Sequence, residues 1–316
     1  MKRFPVLLLA GASLAFAQTK PIPVIFDTDI GDDIDDALAL ALALQSPELD
    51  VRLVTTVADD VDSRTRLAWK ELGLFGRQDI PLATGAPEPL LDPRLPDKAA
   101  QFGILTAADA PPASAHARAA DRIIEVLMGS RVKMTLIPVG PLTNIALALR
   151  EEPRIKDKVE RIVLMGGAYY PARREYNIYR DRIAAQIVFR SGIPIIGVGL
   201  DVTEKCKLEG ADLERLKNAN NPATQFLYRL IQLWQKDNPD RLPTLHDPLA
   251  VGTALRPSLV ETQTGSVQVE IASPAFFGAT VFTRDGKSNT RVAKNVNARE
   301  FLDLFIERMS APPRGR

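Results

Sequence analysis

The chain has 316 residues, 46% hydrophobic and 25% charged, a globular composition long enough for one large domain or two small ones. Forty Lys and Arg stand against 39 Asp and Glu, a formal net charge of +1. That balance excludes a global basic field for nucleic acid and an acidic tail, and turns attention to small-molecule partners. The chain opens with "MKRFPVLLLAGASLAFAQTK": a basic start (Lys2, Arg3), a short apolar core, and Ala15-Phe16-Ala17 as a small-residue cleavage site. This reads as a secretory signal over residues 1–17, with a mature chain from Gln18, so the protein is expected to be exported, to a periplasm or the medium. The apolar core is too short to span a membrane, and no later run is longer.

Beyond it, short apolar runs alternate with helical patterns. "PIPVIF" (21–26), "VRLVTTVA" (51–58), "VKMTLIPVG" (132–140), "RIVLMGG" (161–167) and "IPIIGVG" (193–199) predict strands buried on both faces. Between them "DDALALALAL", "RTRLAWKELGLFG", "ADRIIEVLMG", "LTNIALALR" and "RIAAQIVFRSG" predict helices. Residues 208–242 turn helical, "SVQVEIA" (266–272) and "ATVFTR" (279–284) alternate like antiparallel edge strands, "NAREFLDLFIERM" closes as an amphipathic helix, and "SAPPRGR" reads as a frayed tail. Such alternation predicts an α/β fold with a mostly parallel central sheet flanked by helices, a Rossmann-like core. "ADAPPASAHARA" (108–119) is loop-like but too short to divide the chain, so residues 18–316 are expected to form one domain.

Chemistry is concentrated where strands hand over to helices, the place open parallel sheets bind ligands. "FDTDIGDDIDDALAL" puts Asp27, Asp29, Asp32, Asp33, Asp35 and Asp36 within ten positions at such a junction. One or two could cap a helix. Six repel one another unless a cation neutralises them, though a solvated acidic turn is the plainer alternative. The donors are all hard oxygens, and the two histidines, His116 and His246, lie far along the chain. That argues against zinc or copper and for Ca²⁺ or Mg²⁺, with a many-carboxylate turn suiting Ca²⁺ better. In "LHDPLAVG", His246 stands beside Asp247 near a helix start, an imidazole able to deliver a proton next to a carboxylate able to join a metal site. "EYNIYRD" offers Glu175, Asn177 and Asp181, groups suited to the hydroxyls of a polyol. The single cysteine, Cys206, has no base patterned around it and is expected to be a small buried hydrophobe. There is no phosphate-binding G-x-x-x-x-G-K-[ST] loop, "GVGL" lacks the third glycine of a dinucleotide fingerprint, and no G-x-S-x-G elbow occurs.

In chain order these stretches resemble the calcium-dependent, inosine–uridine-preferring nucleoside hydrolases. "DTDIGDDIDDALAL" matches that family's D-x-D-x-G-x-D-D opening in a form two residues longer. "IPLATGAPEPL" (80–90), "PVGPLTNIALAL" (138–149), "IVLMGGA" (162–168), "EYNIYRD" (175–181), "HDPLA" (246–250) and "NVNAREFLDLF" follow in the expected order, so the resemblance spans Pro21 to Phe305. It implies hydrolysis of a ribonucleoside to ribose and free base with inversion at the anomeric carbon, using Ca²⁺. It implies Asp29 as general base and metal ligand, Asp36, Asp247 and the Val139 carbonyl as further ligands, and His246 as proton donor to the departing base. Asp35 and Asn177 would bind the 2′- and 3′-hydroxyls and Glu175 the 5′-hydroxyl, with Asp27 and Asp181 orienting these groups from behind. The longer turn adds Asp32 and Asp33, of which Asp33 is an extra candidate ligand. "VADDVDSR" offers Asp59 and Asp60 where the family often has asparagine, and "AYYPARR" replaces another family asparagine while offering Tyr169 and Tyr170 as base-stacking or core aromatics.

Two other readings compete. "FDTD" has the D-x-D spacing of magnesium-dependent phosphatases, which leaves the other aspartates and "HDP" unexplained. A non-catalytic exported calcium-and-ribosyl binding protein would use the same groups for capture. The choice of purine or pyrimidine, and whether the chain forms a homo-oligomer, are open at this level.

Overall fold

The computed structural model describes residues 20–92 and 99–315, so the expected signal segment lies outside the described residues. Among these, nine strands form one sheet: β1 (Ile22–Thr28), β2 (Leu49–Thr56), β3 (Leu82–Ala83), β4 (Met134–Pro138), β5 (Val159–Met165), β6 (Ile195–Val198), β7 (Val260–Val269), β8 (Thr280–Arg284) and β9 (Thr290–Val296). Their order is β3-β2-β1-β4-β5-β6-β9-β7-β8. Every pairing from β3 to β9 is parallel, and only the pairings of β7 with β9 and with β8, at one margin, are antiparallel. The helices are α1 (Asp35–Gln45), α2 (Val61–Leu74), α3 (Ala119–Gly129), α4 (Thr143–Glu151), α5 (Tyr176–Arg180), α6 (Arg182–Phe189), α7 (Leu200–Thr203), α8 (Gly210–Lys217), α9 (Pro222–Trp234), α10 (His246–Leu255) and α11 (Ala298–Ser310).

Each central strand feeds both faces. Val24 and Phe26 of β1 pack into a cluster with α1, α2, α9, α10 and α11, while Ile25 between them packs into a second cluster with α3, α4 and α6. That two-sided burial is why these strands read as continuous apolar runs. All eleven residues of α1 are buried, which is why it is nearly pure Ala and Leu: the small side chains let α10 pack closely against it. Three expectations need correction. The strand β9 was not anticipated, because Arg291, Lys294 and Asn295 interrupt it and only its central Val292 and Ala293 are fully buried. The antiparallel strand begins at Val260, six residues before "SVQVEIA". The tail is not frayed over its described part, since the Gln45 amide donates to the carbonyls of Arg308, Ala311 and Pro312, and Arg314 N–H donates back to Gln45 Oε1 at 3.1 Å. Cys206 is fully buried, and burial pushes its thiol up to about 12, in line with a packing role.

Candidate active site

Parallel pairing brings the carboxyl ends of β1, β2 and β4 to one edge of the sheet, and the chemistry gathers there. Asp27, the penultimate residue of β1, is buried and accepts hydrogen bonds from Thr55 Oγ1 of β2 and from Asn144 Nδ2 of α4 at 2.7 Å. Its other oxygen has no hydrogen-bond partner among the described residues, and burial lifts its pKa to about 7. Asp36, in the first turn of α1, folds back on the strand end, where it accepts from Thr28 Oγ1 and from the Asp29 N–H at 3.1 Å. The Asp247 N–H of α10 donates to Asp35 Oδ2 at 3.2 Å, tying the first turns of α1 and α10 together.

The result is a buried triad: carboxylate oxygens of Asp35, Asp36 and Asp247 lie within 4.8 Å of one another. Burial, followed by the neighbouring carboxylates, pushes all three well above the usual carboxylate range. Asp29 is pushed up to about 6, chiefly by burial, with the Arg64 guanidinium opposing. A divalent cation relieves this repulsion, and the all-oxygen donor set fits a hard ion such as Ca²⁺ or Mg²⁺. The Val139 carbonyl faces the same space and accepts Asn177 Nδ2 at 2.6 Å, with a second lone pair for another partner.

These groups line a cleft of about 470 Å³ that also takes in Glu175, Tyr176, Arg174, Arg241 and His246. Glu175 caps α5, accepting N–H groups of Gly167, Asn177 and Ile178 at 2.8–3.0 Å, which fixes its carboxylate in place. His246 opens α10 with Nδ1 2.7 Å from Thr203 Oγ1, and burial lowers its pKa, so the imidazole is neutral near pH 7. Close approach depends on Gly140: a Cβ there would lie 2.6 Å from Asp29 Oδ1 and 2.9 Å from its backbone nitrogen.

The structure therefore brings together Asp29, Asp35, Asp36, Val139, Glu175, Asn177, His246 and Asp247, with Asp27 buried behind them. Asp33 is on the lining but outside the triad, where it meets Arg241 Nη2 at 3.4 Å. Asp181 is away from the cleft lining. It caps α6 through Ala184 N–H at 2.9 Å and holds Leu90 N–H and Thr143 Oγ1. Tyr169 is core, with its hydroxyl donating to Gly166 O, and Tyr170 packs on Phe282, so neither faces the cleft. Among the described residues, Tyr176 is the tyrosine on the lining.

Sequence reasoning missed Arg64. It is 1% exposed and donates to the carbonyls of Ala58 and Ile30, and its Nη2 lies 3.7 Å from Asp59 and 3.6 Å from Asp32. Asp59 also pairs with the buried Arg180. The readable signal was a charge on the buried stripe of α2, in step with Leu67, Ala68, Glu71 and Leu72.

A family model described as inosine-uridine preferring nucleoside hydrolase matches residues 24–303. A pyrimidine-specific ribonucleoside hydrolase RihA of Citrobacter koseri is 37% identical over 309 residues, covering 92% of this chain and 98% of that protein. The RihA of Photobacterium profundum is 37% identical over 320 residues, with 91% and 98% covered. Among solved structures, a plant nucleoside hydrolase, PpNRh1, superposes with a TM-score of 0.81 at 31% identity, covering 92% of this chain and all of that one. A purine-preferring ribonucleoside hydrolase from Gardnerella vaginalis gives 0.80 at 30% identity, with 91% and 98% covered.

Proposed function

This chain belongs to the inosine–uridine preferring nucleoside hydrolase family, hydrolases acting on N-glycosyl compounds, and on that premise we propose a Ca²⁺-dependent hydrolysis of ribonucleosides to ribose and free base. The observation that carries the metal and its place is the convergence of Asp35, Asp36 and Asp247 within 4.8 Å, in the cleft that also holds Asp29 and His246. When bound, the cation keeps the carboxylates ionised and lowers the pKa of the water that serves as nucleophile. Asp36, Asp247, Asp29 and the Val139 carbonyl would hold it. Asp29 takes the proton of the attacking water, and its seat against Gly140 fixes where that proton is received. Asp35, Asn177 and Glu175 hold the ribose hydroxyls, Glu175 through a carboxylate already fixed by three backbone N–H groups. The C1′–N bond breaks towards an oxocarbenium-like sugar, which the surrounding carboxylates favour, and the bond's electron pair leaves with the base. His246, held through Nδ1 by Thr203, presents its other nitrogen to the departing base. No side chain needs to bond to the sugar, so the anomeric configuration inverts.

We further propose that the protein is exported as a single catalytic domain after loss of residues 1–17. The phosphatase alternative requires both aspartates of "FDTD" to reach substrate, and Asp27 is 1% exposed and off the cleft lining. Among the described residues no helix is long and apolar enough to cross a membrane. The direct test is ribose release from uridine, cytidine, inosine, guanosine and adenosine with added Ca²⁺, after chelation, and with Asp29→Ala. Calcium-dependent release that disappears in the variant is expected; release that survives chelation or the variant would refute the mechanism.

A further inference from the structure

Three buried charges that are off the cleft lining join segments distant in the chain. Arg64 of α2, Asp59 in the loop after β2 and Arg180 at the end of α5 are 1%, 7% and 5% exposed. Asp59 is the hub. Its Oδ1 pairs with Arg180 Nη2, and its Oδ2 lies 3.7 Å from Arg64 Nη2. Arg64 reaches on to the first aspartate turn, where its Nη1 donates to Ile30 O at 3.0 Å and its Nη2 lies 3.6 Å from Asp32. At the other end, Arg180 closes the short helix that brings Tyr176 and Asn177 to the cleft and is capped by Glu175. The charges therefore run from the turn that carries Asp29 to the helix that carries the groups for the sugar.

This arrangement is held against opposing costs. Ala58 and Asp59 take φ of +68° and +54°, the left-handed region that suits glycine. Three contacts impose it: Arg64 Nε donates to Ala58 O at 2.8 Å, and the N–H groups of Ala58 and Asp59 donate to Ala86 O at 2.8 Å and Pro87 O at 2.7 Å. A buried ion set adds little net stability, because desolvation offsets most of the attraction. Strain and buried charge together, where two site-bearing segments join, mark a place at which geometry is kept at the expense of stability. The helix also needs a second anchor. Asn177 Nδ2 ties one point of α5 to Val139 O at 2.6 Å, and Arg180 stops the helix pivoting about that point.

We infer that Asp59 and Arg180 are positioning residues: paired with each other and, through Arg64, with the first turn, they set α5 in register with Asp29 and so fix where Glu175 meets the sugar. The inference rests on the ribonucleoside hydrolase reading above. Neither side chain lines the cleft, so both act through others. Two of the N–H groups that hold Glu175, those of Asn177 and Ile178, belong to α5, so a shift of the helix carries the carboxylate with it.

The test compares kcat/KM for uridine and inosine with that for their 5′-deoxy counterparts. It uses the Ca²⁺-loaded full chain, Arg180→Met, and the double variant Asp59→Asn/Arg180→Met, which leaves neither charge of the pair buried without the other. Wild type is expected to favour the substrates that carry the 5′-hydroxyl, through Glu175. In both variants that advantage should shrink about 10-fold, the worth of one charged hydrogen bond, with Ca²⁺ affinity unchanged. Arg180→Lys, which returns a cation to Asp59, should recover part of it. Folded variants that lose equally on the hydroxylated and 5′-deoxy substrates would overturn the inference and leave the hydrolase reading standing. So would a loss of Ca²⁺ affinity in step with activity, the mark of a general loosening, or a wild type indifferent to the 5′-hydroxyl. No turnover of any nucleoside by wild type would overturn both.

Discussion

Replacing Gly140 by alanine tests the catalytic geometry without touching any reacting group. The added Cβ would sit 2.6 Å from Asp29 Oδ1, where ordinary contact begins at 3.4 Å, so the carboxylate or the turn must yield by about 0.8 Å. The turn has little freedom: the same Cβ would also meet the Asp29 backbone nitrogen and Val57 Cγ1 at 2.9 Å, and Val139 N–H is tied to Asp27 O at 2.8 Å. Asp29 therefore moves, and its N–H carries Asp36 Oδ1 with it. A displacement near 1 Å at a reacting group costs roughly 100-fold in rate, while overpacking costs stability of about 1–3 kcal/mol. The expected result is a fall in kcat/KM of about 100-fold with a folded, slightly less stable protein. Gly129→Ala, where the new Cβ meets nothing within 4 Å, is the matched control. Steady-state ribose release and thermal melts on the three proteins suffice. Gly140→Ala turning over at close to wild-type rates would refute the claim that the position of Asp29 governs the reaction.

Three further outcomes follow from buried charge. Glu71 is fully buried with neither carboxylate oxygen hydrogen-bonded among the described residues, and burial pushes its pKa well above the ordinary 4.5. Burial makes the folded protein hold this proton to a higher pH than the unfolded chain does, so stability falls as pH rises above the ordinary value. Glu71→Gln should remove that slope; urea unfolding of both proteins from pH 5 to 8 that gives parallel curves would count against it. Arg64→Leu strips a buried cation from Asp59 and orphans the Ala58 and Ile30 carbonyls. It should cost about 3–5 kcal/mol, and a loss under 1 kcal/mol in the same assay would show the pair to be incidental. Finally, Ca²⁺ added to chelated protein at about 100 times its dissociation constant should stabilise it by about 2.7 kcal/mol. Melting points should rise in wild type and not in Asp36→Ala, and an equal rise in both would place the ion elsewhere.

What was legible follows from how each feature is held. The five inner strands announce themselves because both their faces are buried, leaving no polar alternation to confuse with helix. The strand β9 hides because exposed Arg291, Lys294 and Asn295 interrupt its apolar run. The aspartates of the first turn sit just past the end of β1, where an open parallel sheet places its ligands, while His246 and Asp247 open α10 and reach the site through its packing on α1. Tyr176 could have been read from its place between Glu175 and Asn177 in "EYNIYRD", whereas Arg241 comes from a loop whose course depends on tertiary packing, and nothing local marks it. Asp181 stands just before "RIAA" and caps that helix, a role its place in the sequence makes readable.

The longer aspartate turn also shows why counting charges does not count ligands. Six carboxylates in ten residues looked like one problem with one solution, a cation. In the fold they have separate fates. Asp27 is buried behind the site between Thr55 and Asn144, with its pKa lifted to about 7. Asp32 faces Arg64, and Asp33 faces Arg241. Only Asp29, Asp35 and Asp36 are left against one another, and Asp247, arriving from more than 200 residues away, makes their repulsion worse. A fold that needed nothing at this point would not recruit a fourth carboxylate from another helix. The arriving aspartate, more than the crowded turn, is the argument for an ion at this place.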